Sequence, residues 1–191
     1  MHAGFEVVAG SDRKLELIEL VPYDHEWPAR FKDWRQKLIG ALGPAARRID
    51  HVGSTAVPGL KAKPVIDIQV SVDDILDETT YVPAIESLGV QLRSRDDDQR
   101  FFRPFADRTR DVHIHVCNAG SAWERRHLLF VAYLGSDPAA RDAYLKAKES
   151  ATARWADDRI AYTEAKDGVI REIGTQAEAW AARTRWSVPE I

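Results

Sequence analysis

The sequence is poor in three features that would each point to a particular class of protein. Cys117 is its only cysteine, so no disulfide can form within the chain, and this fits a reducing compartment. Its 27 Lys and Arg residues stand against 30 Asp and Glu residues, whereas nucleic-acid binders usually carry a basic surplus, because phosphate contacts dominate their affinity. No apolar run approaches the roughly 18 residues that a membrane span requires.

These absences favour a cytoplasmic protein whose partner is neither nucleic acid nor a membrane. The N-terminus also lacks a basic segment followed by a long apolar stretch, so we expect no secretory signal. A formal net charge of −3 is compatible with a small anionic ligand that a few basic residues bind. Nothing in the pattern predicts an oligomeric state.

The length and composition are typical of one folded domain. The chain has 191 residues, of which 45% are hydrophobic and 30% charged, and we expect residues 1–191 to form a single domain with a lead-in at 1–14. Strand and helix patterns are mixed in the first part of the chain, and residues 122–186 are mainly helical in pattern. The predicted class is therefore α/β (α+β), a mixed β-sheet flanked by helices with a helical C-terminal subregion.

Several elements can be placed from their spacing. A strand is predicted from Leu15 to Val21, with a helical turn as the alternative, and a helix is predicted to begin at Asp73-Asp74 and to continue to about residue 88. An amphipathic helix that packs in the core is predicted by apolar residues at helical spacing: Trp27, Phe31, Trp34 and Leu38. Further strands are predicted at 49–52, 64–72, 90–94, 100–105 and 111–117.

The stretch from Ile49 to Val72 carries the most informative chemistry. A short strand runs into Gly53 and Ser54, and a second strand, rich in β-branched residues, carries Asp67. Glycine permits a close approach of the backbone to a ligand, and the hydroxyl and backbone N–H groups around Ser54 and Thr55 can bind phosphate oxygens. Asp67 would project beside that phosphate site, where a carboxylate can hold a divalent cation.

Two polar strand faces extend this candidate site. Strand alternation places Asp67 and Gln69 on one face of their strand. The same alternation places Asp111, His113 and His115 on one face of a later strand, which we expect to lie beside Asp67. Imidazole is a poor ligand for magnesium but suits zinc, nickel or iron. The site therefore either uses a softer metal, uses histidine as an acid or base, or has lost metal catalysis.

Three basic residues near these segments are candidate anion ligands. Lys63 precedes Pro64, so its backbone is held extended and its side chain is directed toward the site. Arg103 lies on a predicted strand and can also bind an anion. Lys166 can close over the site, and a salt bridge on a helix surface is the alternative. For Lys61 we expect solvation at the surface.

The longer run around these residues resembles one known family. The motif His-Val-Gly-Ser-Thr-Ala-Val-Pro-Gly-Leu at 51–60, with Lys-Pro-Val-Ile-Asp-Ile at 63–68, is similar to the GrpB family, whose fold is similar to that of nucleotidyltransferases. The resemblance covers roughly residues 17–170. Its further matches are Tyr23-Asp24 with Trp27, His-Ile-His-Val at 113–116, and Tyr-Thr-Glu-Ala-Lys at 162–166.

The resemblance implies a nucleotidyltransferase-like sheet flanked by helices. It also implies nucleotide or coenzyme A chemistry, because in some bacteria a related domain is fused to dephospho-coenzyme A kinase. In the nucleotidyltransferase pattern, Gly-Ser precedes a strand with two alternating acidic residues, and here the second of these positions is Gln69. Since an amide is a neutral, weak magnesium ligand, Asp67 alone is a poor basis for a two-metal transfer.

Three functions compete for this site. The first is a nucleotidyltransferase-like enzyme that acts on a nucleotide or another phosphate-containing small molecule, with Asp67, His113 and His115 as catalytic residues. In that enzyme Asp67 and His115 would bind a divalent ion, either Mg, Mn or Zn. The second is a catalytically inactive ligand-binding module of the same fold, and the third is a metal-dependent hydrolase centred on the His/Asp strand. The predicted ligand-binding residues are Gly53, Ser54, Thr55, Lys63, Gln69, Arg103 and Lys166.

Overall fold

Six strands form one sheet in the computed structural model of the protein, which describes residues 6–8, 17–105 and 108–190. The strands are β1 (Glu6–Val7), β2 (Arg48–Val52), β3 (Ile66–Val72), β4 (Val90–Arg95), β5 (Gln99–Pro104) and β6 (Val112–Asn118). They lie in the order β1-β4-β5-β6-β3-β2. The pair β3 and β6 is parallel, and each of the other neighbouring pairs is antiparallel. The sheet is therefore mixed, as predicted.

Helices cover both faces of this sheet. The helices are α1 (Trp27–Leu42), α2 (Val82–Glu86), α3 (Ala122–Ser136), α4 (Pro138–Trp155), α5 (Arg159–Glu164) and α6 (Asp167–Thr184). Three short 3-10 helices lie at Gly43–Ala45, Ser54–Ala56 and Glu78–Thr80. No helix in the described part of the chain is both long enough and apolar enough to cross a bilayer.

The two faces of the central strands differ in polarity because side chains alternate along a strand. The even-numbered residues of β3 from Ile66 to Val72 and of β6 from Val112 to Val116 are apolar and buried, and they pack in one core with α1 and α2. Trp27 and Leu38 of α1 are fully buried in that core, as the helical spacing predicted. The odd-numbered residues, among them Asp67 and His113, face the opposite side.

The C-terminal helices build a second core on that opposite side. Apolar residues of α3, α4 and α6, including Leu129 and Ile173, pack together with Val57 and Leu60 from the segment after β2. This arrangement confirms the predicted sheet with flanking helices and a helical C-terminal subregion. It also leaves the polar strand face and the helices on either side of a gap in which a ligand can lie.

Two predicted elements are wrong in the described residues. Residues 17–20 form no strand, and Val21 makes only an isolated antiparallel bridge with Ala62; Leu15 and Glu16 lie outside the described residues. The predicted helix at 73–88 is reduced to a 3-10 turn and the five residues of α2. The Asp74 and Asp77 side chains bond to nearby groups in turns, which compete with a helix in this segment.

Candidate functional site

A cleft with a volume of about 890 Å³ lies between the polar strand face and the C-terminal helices. Strands β3, β5 and β6 contribute one side of its wall, and α4, α5 and the turn after α5 contribute another. Nine of the ten residues predicted for the site line it: Gly53, Ser54, Thr55, Lys63, Asp67, Arg103, His113, His115 and Lys166. The structure thus brings segments more than a hundred residues apart in sequence to one cavity.

Asp67 and His113 form a hydrogen-bonded pair in this cleft. The parallel register of β3 and β6 sets the two residues side by side, and His113 Nδ1 lies 3.0 Å from Asp67 Oδ1. Exposure of 28% for the Asp67 side chain and 21% for that of His113 leaves both accessible from the cleft. The sheet therefore fixes the distance between a carboxylate and an imidazole within reach of a ligand.

The environment of Asp67 sets how the pair can handle protons. Burial acts to raise the pKa of Asp67, but the hydrogen bond from His113, together with the electrostatic influence of the two strand histidines and Lys63, outweighs it, and this pKa lies below its ordinary value. An ionised carboxylate only accepts hydrogen bonds, so a neutral His113 ring carries its proton on Nδ1. Its Nε2 is then the basic nitrogen, which can take a proton from a bound group.

Gly53 allows the Asp67 carboxylate to lie against the turn that follows β2. Its φ of 69° and ψ of −168° belong to a region that residues with a Cβ rarely adopt. A Cβ built on Gly53 would lie 2.4 Å from Asp67 Oδ2 and 2.8 Å from Asp67 Cβ. Glycine is thus needed here both for its backbone conformation and for the space that Asp67 occupies.

His115 lies in the cleft but is not the partner of Asp67. Its Nδ1 lies 2.7 Å from Gln99 Oε1, and burial lowers the pKa of His115 to about 3, so its ring is neutral at pH 7. The expected pairing of Asp67 with His115 is therefore replaced by the pairing with His113, because the parallel register puts His115 opposite Gln69. In the described ranges no group of three or more His, Cys, Asp or Glu side chains converges to hold a metal ion. A divalent ion at Asp67 stays a prediction.

The Thr55 hydroxyl is used inside the turn. It donates its proton to the Val65 carbonyl oxygen at 3.1 Å and lies 3.0 Å from Nε2 of His51. The His51 ring stacks on Phe31, with centroids 4.8 Å apart, and burial lowers the pKa of His51 to about 4. The single hydroxyl proton of Thr55 is thus committed to the protein, and a phosphate contact of Thr55 stays a prediction.

Gln69 does not line the cleft. Its side chain is fully buried, and neither its Nε2 nor its Oε1 has a hydrogen-bond partner among the described residues. Helix α3 contacts both β2 and β6, and β6 lies beside the strand that carries Gln69. The predicted ligand contact of Gln69 is therefore not found, because the side chain is sealed in the interior.

Positive charge dominates the ionisable residues of the cleft. In the described part of the chain, two acidic residues, Asp67 and Glu164, stand against five basic ones. The basic side chains are Lys63, Arg103, Lys148, Arg159 and Lys166. An excess of this kind in a concave site attracts anions and raises their local concentration.

The three lysines among these basic residues lie close enough to affect one another's protonation. The Tyr162 ring has Lys63 Nζ at 4.7 Å and Lys166 Nζ at 4.0 Å from its centroid. Burial, followed by the charge of Lys63, lowers the pKa of Lys166 to about 8. Burial, followed by the charge of Lys166, lowers the pKa of Lys148 to about 7. A bound anion would offset this repulsion and favour the charged amines.

Several residues of the cleft wall were not predicted from the sequence. Lys148 is buried on α4, and its ammonium group donates to the Lys61 carbonyl oxygen. Phe101 lies 5.1 Å from the rings of both His113 and His115. Strand alternation could have found Phe101, because it shares a face with the predicted Arg103. Lys148 gave no such signal, since one lysine in a charged helix is typical of a solvated position.

Comparisons with known proteins identify relatives of this chain. A family model described as GrpB protein matches residues 17–176. UPF0157 protein BH1888 of Halalkalibacterium halodurans is 39% identical over 163 residues, which are 85% of this chain and 83% of that protein. Dephospho-CoA kinase of Mycolicibacterium paratuberculosis is 33% identical over 195 residues, which are 88% of this chain but 48% of that protein. This chain thus spans about half of the kinase.

Solved structures show the same fold. The crystal structure of conserved protein GrpB from Enterococcus faecalis has a TM-score of 0.75 at 27% identity, over 85% of this chain and 99% of that one. A chain of the GLD-2/RNP-8 complex has a TM-score of 0.50 at 16% identity, over 76% of this chain and 58% of that one, which bears on the fold alone. The predicted nucleotidyltransferase-like fold is confirmed.

Proposed function

The chain belongs to the GrpB family, and from that premise we propose that its cleft binds a nucleotide-like or coenzyme A-like phosphate ester and acts on it as an enzyme. The observation that carries the proposal is the excess of five basic side chains over two carboxylates around the Asp67–His113 pair. Phosphate is the common biological group that needs several positive charges at one place. The Asp67–His113 pair can move a proton beside a bound phosphate, which supports an enzymatic reaction in addition to binding.

The lysines can supply the charge that a phosphate ester requires. Charge-assisted hydrogen bonds from ammonium groups to phosphate oxygens are roughly twice as strong as neutral ones. Lys63 precedes β3, Lys148 lies on α4, and Lys166 lies between α5 and α6, so the three approach from different parts of the wall. We therefore propose that phosphate binding does not depend on a divalent ion, although Asp67 can still contribute a ligand to one.

The Asp67–His113 pair supports an acid–base role on that ester. A hydroxyl group or water that attacks the phosphorus must lose its proton, and Nε2 of His113 can accept it. The bond from phosphorus to the leaving oxygen breaks as the new bond forms, and the imidazolium can return the proton to that oxygen. Asp67 then stabilises the imidazolium that forms and keeps the ring in one orientation through Nδ1. These roles need only the imidazole of His113. His115 bonds to Gln99 and packs against Phe101 in the wall of the cleft.

The kinase relative supports the choice of ligand class. A region similar to this chain forms about half of a protein named dephospho-CoA kinase. We infer that a ligand with an adenine nucleotide and a phosphate chain, such as coenzyme A or its precursors, is the first class to test. Nucleotides without the pantetheine arm form the second class.

Replacing Lys166 with alanine is expected to weaken binding of ADP or coenzyme A by about tenfold or more, because one charge-assisted phosphate contact is lost. For the unmodified protein, ligand at about 100 times its dissociation constant should add about 2.7 kcal/mol of stability. Thermal-shift titration measures both effects. The matched control is Lys61→Ala, which removes a lysine that is exposed, pairs with Glu149 and does not line the cleft.

The same titration, repeated with magnesium and with a chelator, tests the role of a metal. Binding that persists in chelator is the expected result, whereas binding that disappears would contradict the lysine-based mechanism and support an ion at Asp67. Product analysis then separates the enzyme from an inactive binding module. His113→Gln should retain binding and lose turnover, and an unmodified protein that binds without any turnover would refute the acid–base proposal.

Ligand binding is expected to take up protons at alkaline pH. At pH 8.5 the amines with pKa values of about 7 at Lys148 and about 8 at Lys166 are largely neutral, and a bound phosphate raises both values. At pH 6 both amines are already charged, so uptake should be small. Calorimetry in two buffers of different ionisation enthalpy measures it. Lys166→Arg, whose guanidinium stays charged, should reduce the uptake at pH 8.5, and an unchanged value would contradict this assignment.

The free energy of unfolding of the protein without ligand should rise with pH, whereas its affinity for anions should fall. Lys148 and Lys166 have folded-state pKa values below the ordinary 10.5, so the unfolded chain binds more protons between about pH 7 and 10.5. Their contribution to the free energy of unfolding therefore rises with pH over that window, while anion binding weakens.

A further inference from the structure

A second cavity, with a volume of about 430 Å³, adjoins the cleft. The two cavities share four wall residues: Lys63, Val65, His113 and Arg159. The second cavity is completed by residues 17–19, by Arg30 of α1 and by the residues that lead into β6. His113 and Arg159 thus lie in a wall that borders both spaces.

The second cavity has its own excess of positive charge. Among the residues that the structure describes, Arg30, Lys63, Arg110 and Arg159 line it, against the two acidic residues Glu19 and Asp111. Arg30 and Arg110 do not line the larger cleft, so this charge is not explained by the ligand site already described. Guanidinium groups present planar pairs of donors that match phosphate oxygens, which favours phosphate over a diffuse attraction for anions.

Backbone hydrogen bonds to the rest of the fold hold residues 17–21, which contribute to the wall of the second cavity. Ile18 is buried, and its backbone N–H donates to the Ala156 carbonyl oxygen at 2.7 Å. Val21 and Ala62 exchange two backbone hydrogen bonds, of 2.9 and 3.1 Å. The segment 17–21 is therefore anchored at both ends, and the cavity has a built wall rather than an open surface.

We propose that this second cavity is a separate phosphate site, so that His113 lies between two bound phosphate groups. The inference rests on the proposed function of the larger cleft and adds a second binding position to it. The occupant is a phosphate monoester group, which either belongs to a second substrate molecule or is a distant phosphate of one extended ligand. In the first case His113 would face a donor on one side and an acceptor on the other.

Calorimetric titration with inorganic pyrophosphate tests the proposal directly. Two sites per chain are expected. Arg30→Ala should weaken one of them about tenfold and leave the other unchanged, whereas Lys166→Ala should do the reverse. The matched control is Lys32→Ala, which removes one positive charge from an exposed position of the same helix and lines neither cavity. If Arg30→Ala and Lys32→Ala give the same two-site titration as the unmodified protein, the second site is refuted.

The two sources of the phosphate are separated by a second pair of probes. Coenzyme A carries a 3′-phosphate that dephospho-coenzyme A lacks. If one extended ligand spans both cavities, Arg30→Ala weakens coenzyme A about tenfold and spares its dephospho form. If two molecules bind, neither probe is affected, while the second pyrophosphate site is still lost. If Lys166→Ala weakens pyrophosphate binding and Arg30→Ala does not, the proposed function is retained and only the second site is refuted. If Arg30→Ala weakens pyrophosphate binding and Lys166→Ala does not, the second site is retained and the proposed function of the larger cleft is refuted.

Discussion

Gly53→Ala is expected to lower the free energy of unfolding by at least about 3 kcal/mol and to disable the site. The new Cβ would lie 2.4 Å from Asp67 Oδ2 and 2.8 Å from its Cβ, so either the turn or the strand residue must move. The backbone conformation of Gly53 adds strain of about 1–3 kcal/mol for a residue with a Cβ. Movement of Asp67 would also break its hydrogen bond with His113 at 3.0 Å.

Urea unfolding and ligand titration measure the two parts of this effect. A loss of about 3 kcal/mol corresponds to a fall in Tm of roughly 6–12 °C for a chain of this size. Gly59→Ala is the matched control, because Gly59 also has a positive φ, of 78°, but no described atom beyond its chain neighbours lies within 4 Å of where its methyl group would stand. That variant should lose only about 1–2 kcal/mol from backbone strain. Equal losses in both variants would show that contact with Asp67 is unimportant.

Gln69→Glu is expected to destabilise the protein by about 3 kcal/mol or more at pH 7 without creating a metal site. The substitution restores an acidic residue at the second position of the nucleotidyltransferase pattern. However, the Gln69 side chain is fully buried, and its two polar atoms lack partners in the described structure. A carboxylate there would lose its hydration without a compensating ion pair.

The pH dependence identifies the cause of this destabilisation. Burial raises the folded-state pKa of such a carboxyl group above its unfolded value, so the cost is present at neutral pH and shrinks as the pH falls toward the unfolded value. Gln69→Leu, which replaces both unpartnered polar atoms with an apolar group of similar size, should stay within about 1 kcal/mol of the unmodified protein or exceed it. Stabilisation of Gln69→Glu by magnesium, absent from the unmodified protein, would contradict the buried position of this side chain.

The contrast between Asp67 and Gln69 shows how far the sequence could predict the site. Alternation correctly placed both residues on one strand face, and the motif at 51–60 predicted the turn beside Asp67. Whether such a face lines a cleft or lies under a helix depends on where α3 packs, which no local pattern contains. One of the two residues therefore reaches the cleft, and the other is buried.

The partner of Asp67 could not be predicted for a similar reason. Both strand histidines have the same spacing and face, and the parallel register of β3 with β6 decides that His113 is the neighbour. A shift of two residues would have brought His115 there instead and kept every apolar residue in the core. Lys148 and Arg159 could not be predicted as cleft residues, because tertiary packing of the C-terminal helices, rather than any local pattern, brings them close to the sheet.

The helix predicted at 73–88 failed for a local reason. Asp74 and Asp77 use their side chains to close turns, and Pro83 lies in the first turn of the short α2, where its missing N–H has no cost. Apolar residues at helical spacing could not outweigh these contacts. The sheet itself was predictable because its β-branched residues alternate without such competition.

The division of the cleft between sheet and helices has a consequence for how the family can diversify. The Asp67–His113 pair, proposed to handle a proton, is set by the ladder between two adjacent parallel strands, whose spacing is common to all sheets. Two of the three lysines proposed to bind anions, Lys148 and Lys166, belong instead to the helical region that packs on the sheet through its own apolar core. Under the proposed function, relatives can thus exchange the helical residues, and with them the preferred ligand, while keeping the same pair of strand residues.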